Sequence, residues 1–237
     1  MGMKHIGKYL LLFITILLMG FTLSGCMTIT QEDYLRAAER YMEKKYGEKF
    51  EGQYFGMNSG YLYVSPVNHP EWRVMVAFPK AKLWNVEFQD NYVAFLLKAE
   101  VEDAVEKIAS EIYGDVKVYC CPIGNVLPSE WNRETTLEEF NTRNTSKLYL
   151  FLAGDESNKE KNINMFLEKY CEANFGMTIM EILYLPQEQL QALQERDVDR
   201  IFNEGQYFWR THIVLKRELE FSFDEVKWRE GDLQLKN

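Results

Sequence analysis

The chain has 237 residues, 46% of them apolar and 14% aromatic, with 36 acidic against 27 basic side chains and only 6 prolines. This composition excludes a collagen, a basic nucleic-acid arm and a wholly disordered polymer, and it belongs to a chain able to build a core. At a formal charge of −9, nucleic acid and anionic polymer surfaces are poor partners, whereas basic peptides, proteins or cations are compatible ones.

The elements begin with a leader. Residues 1–8 carry Lys4 and Lys8 and no acid, and residues 9–23 are all apolar, aromatic, Gly or Thr. A helix of about 15 residues spans about 22 Å, short of the ~30 Å hydrocarbon core, so a secretory signal explains the run better than a stable membrane span. The run closes on Leu23-Ser24-Gly25-Cys26. Placed directly behind a charged n-region and an apolar h-region, these four residues resemble the lipobox of bacterial lipoproteins. The resemblance implies a diacylglyceryl group on the Cys26 sulfur, cleavage between Gly25 and Cys26, and acylation of the new amino terminus. Each buried CH₂ contributes ~0.8 kcal/mol, and two or three acyl chains hold a protein on a bilayer where one does so only marginally. The same resemblance implies a signal peptide over residues 1–25, a lipidated tether over 26–30, and a location at the extracytoplasmic face of the cell membrane. The exported part, with 25 basic and 36 acidic side chains, would carry a formal charge of −11. Residues 34–50 also resemble the start of uncharacterised lipoproteins of low-GC Gram-positive bacteria, a likeness from which no residue role is carried over.

Thr30 is placed to cap a helix whose apolar residues Tyr34, Leu35, Ala38, Tyr41, Met42 and Tyr46 follow a 3, 4 spacing, with Gly47 as terminator. Strands are expected at 50–57, 61–64, 72–78 and 83–88, with a turn at Asn58-Ser59-Gly60 and a break at His69-Pro70, which reads as an antiparallel meander. Residues 92–97 are ambiguous between strand and helix start. From Lys98 a second helical stripe runs through Val101, Ala104, Val105, Ile108, Ala109 and Ile112 to Tyr113-Gly114, and a strand at 116–120 comes next.

Residues 122–146 hold two prolines, Gly124, several Asn and Thr and one candidate capping box, Thr135 with Glu138, and they read as an inter-domain connection. Residues 148–153 form a continuous apolar run, as in a strand buried on both faces. Ser157 and Glu160 offer another capping box, before a stripe of Ile163, Phe166, Leu167, Tyr170, Cys171 and Phe175 closed by Gly176. A strand at 178–185 then completes a parallel β-α-β unit, expected to cross right-handed. Pro186 suits the first turn of another helix, and residues 208–215 and 219–223 alternate as a terminal antiparallel pair with one wet face. The fold class is therefore α+β. An N-terminal helix, meander and second helix form one domain over 31–121, a linker spans 122–146, and a smaller α/β domain occupies 147–237.

The sequence holds no HExxH, CxxC, GxSxG, Walker-type or GxGxxG pattern, which argues against the enzyme classes that need them but not against scattered catalytic groups. No catalytic residue, metal ligand or cofactor is assigned. Beyond the leader the histidines are His69, in a turn, and His212, on the strand face opposite Thr211, Ile213 and Leu215; for both the default is a surface or satisfied polar side chain. Cys120, Cys121 and Cys171 leave two readings open: a disulfide from Cys120 or Cys121 to Cys171, or small core residues. Tyr54, Tyr61, Tyr63, Trp72, Trp84 and Tyr92 fall on or beside the first sheet. Tyr61, Tyr63, Trp72 and Trp84 are candidates for an aromatic platform binding glycan or peptide, against the plainer reading that they cover the core. The functional expectation is a lipid-anchored binding or interaction module of the envelope, with envelope proteins or peptides as partners. The alternative is an envelope hydrolase. A histidine within hydrogen-bond reach of a cysteine or an acid, in a cleft, would favour the alternative.

Overall fold

In the computed structural model the described residues are 30–56, 60–77, 88–122, 125–143, 145–153, 156–217, 221–222 and 226–233. Residues 1–29 with Gly25 and Cys26, and Trp84 with most of the strand expected at 83–88, lie outside them.

Helix α1 (Gln31–Tyr46) starts where the sequence signals it. Thr30 accepts from the Asp33 N–H while the Asp33 carboxylate accepts from the Thr30 N–H at 2.9 Å, a reciprocal capping box. Its C-terminus turns on Gly47 at φ 71°, a left-handed conformation that costs glycine nothing. The stripe Ala38, Met42 and Tyr46 is buried, and fully burying a side chain of Met size contributes ~1.5–3 kcal/mol. Strands β1 (Phe50–Gly56), β2 (Tyr61–Pro66) and β3 (Val74–Ala77) form an antiparallel meander as expected, and its fourth strand in the order β1-β2-β3-β4 is β4 (Gln89–Asp90), which lies just past the strand expected at 83–88. Gly52 lets α1 lie against β1, because a Cβ there would stand 3.0 Å from Leu35 Cβ; its N–H donates to Glu39 Oε1 at 2.7 Å, covering an outer strand's polar edge from the helix.

Residues 92–97 resolve as a short helix, α2 (Tyr92–Leu96), running almost directly into α3 (Lys98–Tyr113). Strand β5 (Val116–Pro122) pairs antiparallel with β6 (Thr145–Ala153), so residues 123–144 join two neighbouring strands of one sheet. This connection is itself packed: Leu127, Trp131 and Phe140 are buried, and Leu127 N–H donates to the Asp90 carbonyl at 2.8 Å. Within it lies helix α4 (Leu137–Arg143), whose cap is Thr136 rather than the expected Thr135. Thr136 Oγ1 accepts from Glu139 N–H, while Thr135 Oγ1 is occupied by Asn132 N–H.

Strand β6 then pairs in parallel with β7 (Met177–Leu185), with helix α5 (Lys159–Glu172) between them in sequence. The capping box expected from Ser157 does not form, because Ser157 is drawn into a 3₁₀ turn, Glu156–Asn158, and Asn158 precedes α5 without a side-chain cap. The helix stop also shifts: Asn174, at φ 58°, takes the left-handed position expected near Gly176, as asparagine does at low cost. Helices α6 (Gln187–Ala192), with Pro186 before it, and α7 (Val198–Asn203) come next, then β8 (Trp209–Arg217), which pairs antiparallel with β7, with β9 (Phe221–Ser222) and with an unforeseen β10 (Trp228–Glu230). The mixed sheet runs β10-β8-β7-β6-β5. It is the larger of the two sheets.

One apolar core, including Met42, Val105, Leu150 and Phe166, packs the helices α1, α3 and α5 onto both sheets. The opposite face of the mixed sheet carries a second cluster, in which Phe151, Leu183 and Leu185 meet Leu190, Val198 and Ile201 of α6 and α7. Strand β6 is buried on both faces because it lies between the two, as its unbroken apolar run requires. Among the described residues no helix is long and apolar enough to cross a membrane.

Candidate functional site

The chemistry-bearing residues gather on the second face of the mixed sheet, beside α7. Glu181 is the one acid in the apolar run of β7, and because Met180 and Ile182 face the main core it points to the other side. Its carboxylate is 4% exposed, so it must be compensated. Two residues of β8 do this from alternate positions on one strand face: Arg210 Nε donates to Oε2 at 3.0 Å, and His212 Nδ1 lies 2.8 Å from Oε1. Arg210 is 21% exposed and His212 50%. The Arg210 guanidinium also lies over the Phe202 ring of α7, 4.1 Å from its centroid. Lys147 of β6 brings its ammonium within 5.3 Å of the same ring and 4.6 Å of the Tyr149 ring, which meets Phe202 edge-on at 5.5 Å. The charge of Asp199, one helical turn before Phe202, is felt at Tyr149 and Cys121.

His212 therefore occupies the face expected of it, but it is bonded to a buried acid, Glu181, that is absent from the candidates drawn from motif and composition. The signal for Glu181 is a lone carboxylate inside an otherwise apolar strand, which demands a partner. The i, i+2 pair Arg210 and His212 is the other half of that signal.

A recess of about 400 Å³ opens at the other edge of the sheet between the C-terminal end of α3, β5 and α6. Its polar lining is largely self-paired: Lys117 Nζ donates to the carbonyls of Gln191 and Leu193 at 3.0 and 2.7 Å, and Gln187 donates to Asp115.

The aromatic candidates separate. Tyr61, exposed, and Tyr63, half-buried, share the outer face of β2, since Leu62 and Val64 between them enter the core. Trp72 instead packs against the core, with Phe95 at 5.5 Å and Tyr92 at 6.1 Å, and is covered by His69 stacked at 4.0 Å and 9°. His69 Nδ1 lies 3.3 Å from Glu71 Oε1, and both side chains are exposed. Trp84 falls outside the described residues.

The three cysteines among the described residues, Cys120, Cys121 and Cys171, are free thiols. Burial pushes the Cys120 thiol up to about 12, and burial raises Cys121 and Cys171 as well. Cys121 lies on the same sheet face as Tyr149, but β6 and β7 stand between β5 and His212 on β8, a separation of roughly 14 Å at ordinary strand spacing. Cys120 and Cys171 pack into the main core on the other side. Among the described residues no three His, Cys, Asp or Glu are grouped to hold a metal ion.

The fold and this site define an α+β protein with a compensated charge cluster on one sheet face. No protein-family model and no curated protein matches the sequence. A solved structure, that of a DUF5037 family protein from Ruminococcus gnavus ATCC 29149, is similar at 16% identity and a TM-score of 0.41, over 80% of this chain and 94% of that one.

Proposed function

We propose that this chain is a lipid-anchored binding module on the extracytoplasmic face of the cell membrane. One observation carries the reading: Leu23-Ser24-Gly25-Cys26 closes an apolar run that begins behind Lys4 and Lys8, the context in which a modified cysteine is expected. Metabolic labelling with a palmitate analogue tests it. The wild type is tagged and Cys26→Ser is not; equal labelling of the two removes the anchor.

Binding is favoured over catalysis by the state of the candidate nucleophiles. A thiol acts as thiolate, and burial holds all three described thiols towards their protonated form, across the sheet or on its other side from His212. The envelope hydrolase remains as a second reading because His212 Nδ1 is 2.8 Å from the Glu181 carboxylate, the orientation a general base requires. Turnover of ester, peptide or glycoside substrates that disappears in His212→Ala would replace the module reading with this one.

A further inference from the structure

The Glu181 cluster presents more hydrogen-bond donors than it uses. Arg210 is fixed through Nε, so its two Nη groups, the fork that pairs with oxyanions, are left without a partner among the described residues. His212 is fixed through Nδ1, which directs Nε2 away from Glu181 on a ring that is half exposed. Lys147 meets the Phe202 and Tyr149 rings, shares a hydrogen bond with the Tyr149 side chain, and pairs with no carboxylate among the described residues. A buried carboxylate thus pins one cation and one imidazole to the sheet, and Phe202 holds Arg210 and Lys147 to a single ring, so the donors need little ordering to bind a ligand.

We infer that this face is a binding site for an oxyanion, a carboxylate or phosphate group, gripped by the outer edge of Arg210 with His212 Nε2 and Lys147 beside it and Phe202 and Tyr149 as its aromatic wall. The inference rests on the reading of the chain as a binding module and deepens it by naming the ligand's chemistry. A chain of formal charge −9 does not attract anions at long range. Charges beyond ~8–10 Å are screened, however, and the local cations decide. The charge of Asp199, felt at Tyr149 and Cys121, opposes an anion at that end of the face. The planar Arg210 fork suits two oxygens of one group.

The test is a thermal-unfolding titration of the full chain in mild detergent with inorganic phosphate in one arm and benzoate in another, at constant ionic strength balanced with chloride. The expected result is saturable stabilisation by at least one anion, with the stronger arm telling phosphate from carboxylate. Lys147→Gln should weaken the apparent affinity several-fold and Arg210→Lys, which loses the fork, by about tenfold. Lys147 makes no ion pair among the described residues, so Lys147→Gln keeps the test informative if the Arg210 variant fails to fold. Absence of a saturable shift in both arms, or equal affinity in the wild type and Lys147→Gln, overturns the site. Neither result bears on Cys26, whose labelling is read separately.

Discussion

The Tyr46 hydroxyl donates to Asp90 Oδ1 at 2.7 Å, tying the last turn of α1 to the end of the small sheet. The Asp90 carboxylate takes three further donors, Tyr92 N–H at 2.9 Å, Tyr41 hydroxyl at 2.8 Å and Lys45 Nζ at 2.8 Å, and is 1% exposed. Lys45 also lies over the rings of Tyr41 and Tyr46. Asp90→Ala would leave a mostly buried ammonium and two phenols without their acceptor, a loss of about 3–5 kcal/mol by analogy with broken buried ion pairs. Tyr46→Phe removes one bond and should cost about 1–2 kcal/mol. Urea unfolding followed by tryptophan fluorescence checks the order, and the double variant should fall short of the sum, since both changes act on one network. A Tyr46→Phe loss as large as that of Asp90→Ala would mean the carboxylate is not the hub.

Two glycines are needed for contact, and they should respond differently to rescue. At Gly52 an added Cβ meets the Leu35 side chain at 3.0 Å, whereas at Gly231 it meets the Tyr207 carbonyl oxygen at 2.0 Å. Gly52→Ala should therefore cost about 1–3 kcal/mol by overpacking and be partly relieved by Leu35→Ala. Gly231→Ala has a backbone atom in its way and must displace the β10 end, which is held by the Gly231 N–H to Phe208 carbonyl bond at 2.9 Å. The check is thermal unfolding of both single variants and of the Gly52→Ala, Leu35→Ala pair. A pair less stable than either of its singles would contradict the contact.

The long stripes are readable in the sequence because periodicity is local. The core side of α1 and α3 and the two-faced burial of β6 stem from spacing within a dozen or so residues, and the parallel β6–β7 pair from the strand-helix-strand order around α5. What escapes depends on distant partners. Strand β5 reads as the end of the first half, yet it belongs beside β6, because a strand's own sequence does not name its neighbour. Strand β10 is three residues long, and Glu181 becomes a site only once β8 is set in register with β7, opposite His212. The caps at Thr136 and Asn174 lie one or two residues from their expected places, since Thr135 and Gly176 satisfy the same local rules and only the packed chain chooses.

Glu102 guards the outer edge of β5. Its Oε1 accepts the Cys120 N–H at 2.7 Å and pairs with Lys98, which reaches Glu195 at 3.2 Å beyond it. Burial raises the Glu102 carboxyl above the usual range, although Lys98 and the Cys120 N–H pull the other way. A raised pKa means that the group's contribution is complete below its unfolded value and shrinks as pH climbs through the folded one. Glu102→Gln, which keeps an acceptor for Cys120 and resembles the protonated carboxyl, should therefore gain stability relative to wild type between pH 4 and pH 7. Glu102→Ala, which bares an edge N–H and leaves Lys98 half-paired, should lose about 1–3 kcal/mol and aggregate more readily. Urea midpoints for all three proteins at both pH values decide this, and a wild type that gains stability on Glu102→Gln from pH 4 to pH 7 would reverse the sign assigned to Glu102.

The thiols should separate by burial. Cys120 is 3% exposed and its thiol is pushed up to about 12, first by burial and then by the charge of Glu102, whereas Cys121 and Cys171 are half-buried. With the full chain in mild detergent near pH 8, a disulfide reagent should modify Cys121 and Cys171 and reach Cys120 only on unfolding. Cys171→Ala should remove one of the native-state phases and leave the unfolding-dependent one. The same burial makes the fold alkali-sensitive. Below about pH 9 the Cys120 thiol is neutral in both states and its contribution is intact. Between there and its folded value the unfolded chain loses the proton first, so stability falls as pH rises. Cys120→Ala will be less stable than wild type throughout because of the cavity it leaves, so the informative quantity is the slope. Its urea midpoint should decline less steeply from about pH 8.5 to pH 10.5, and parallel slopes would show that Cys120 does not carry the alkaline loss.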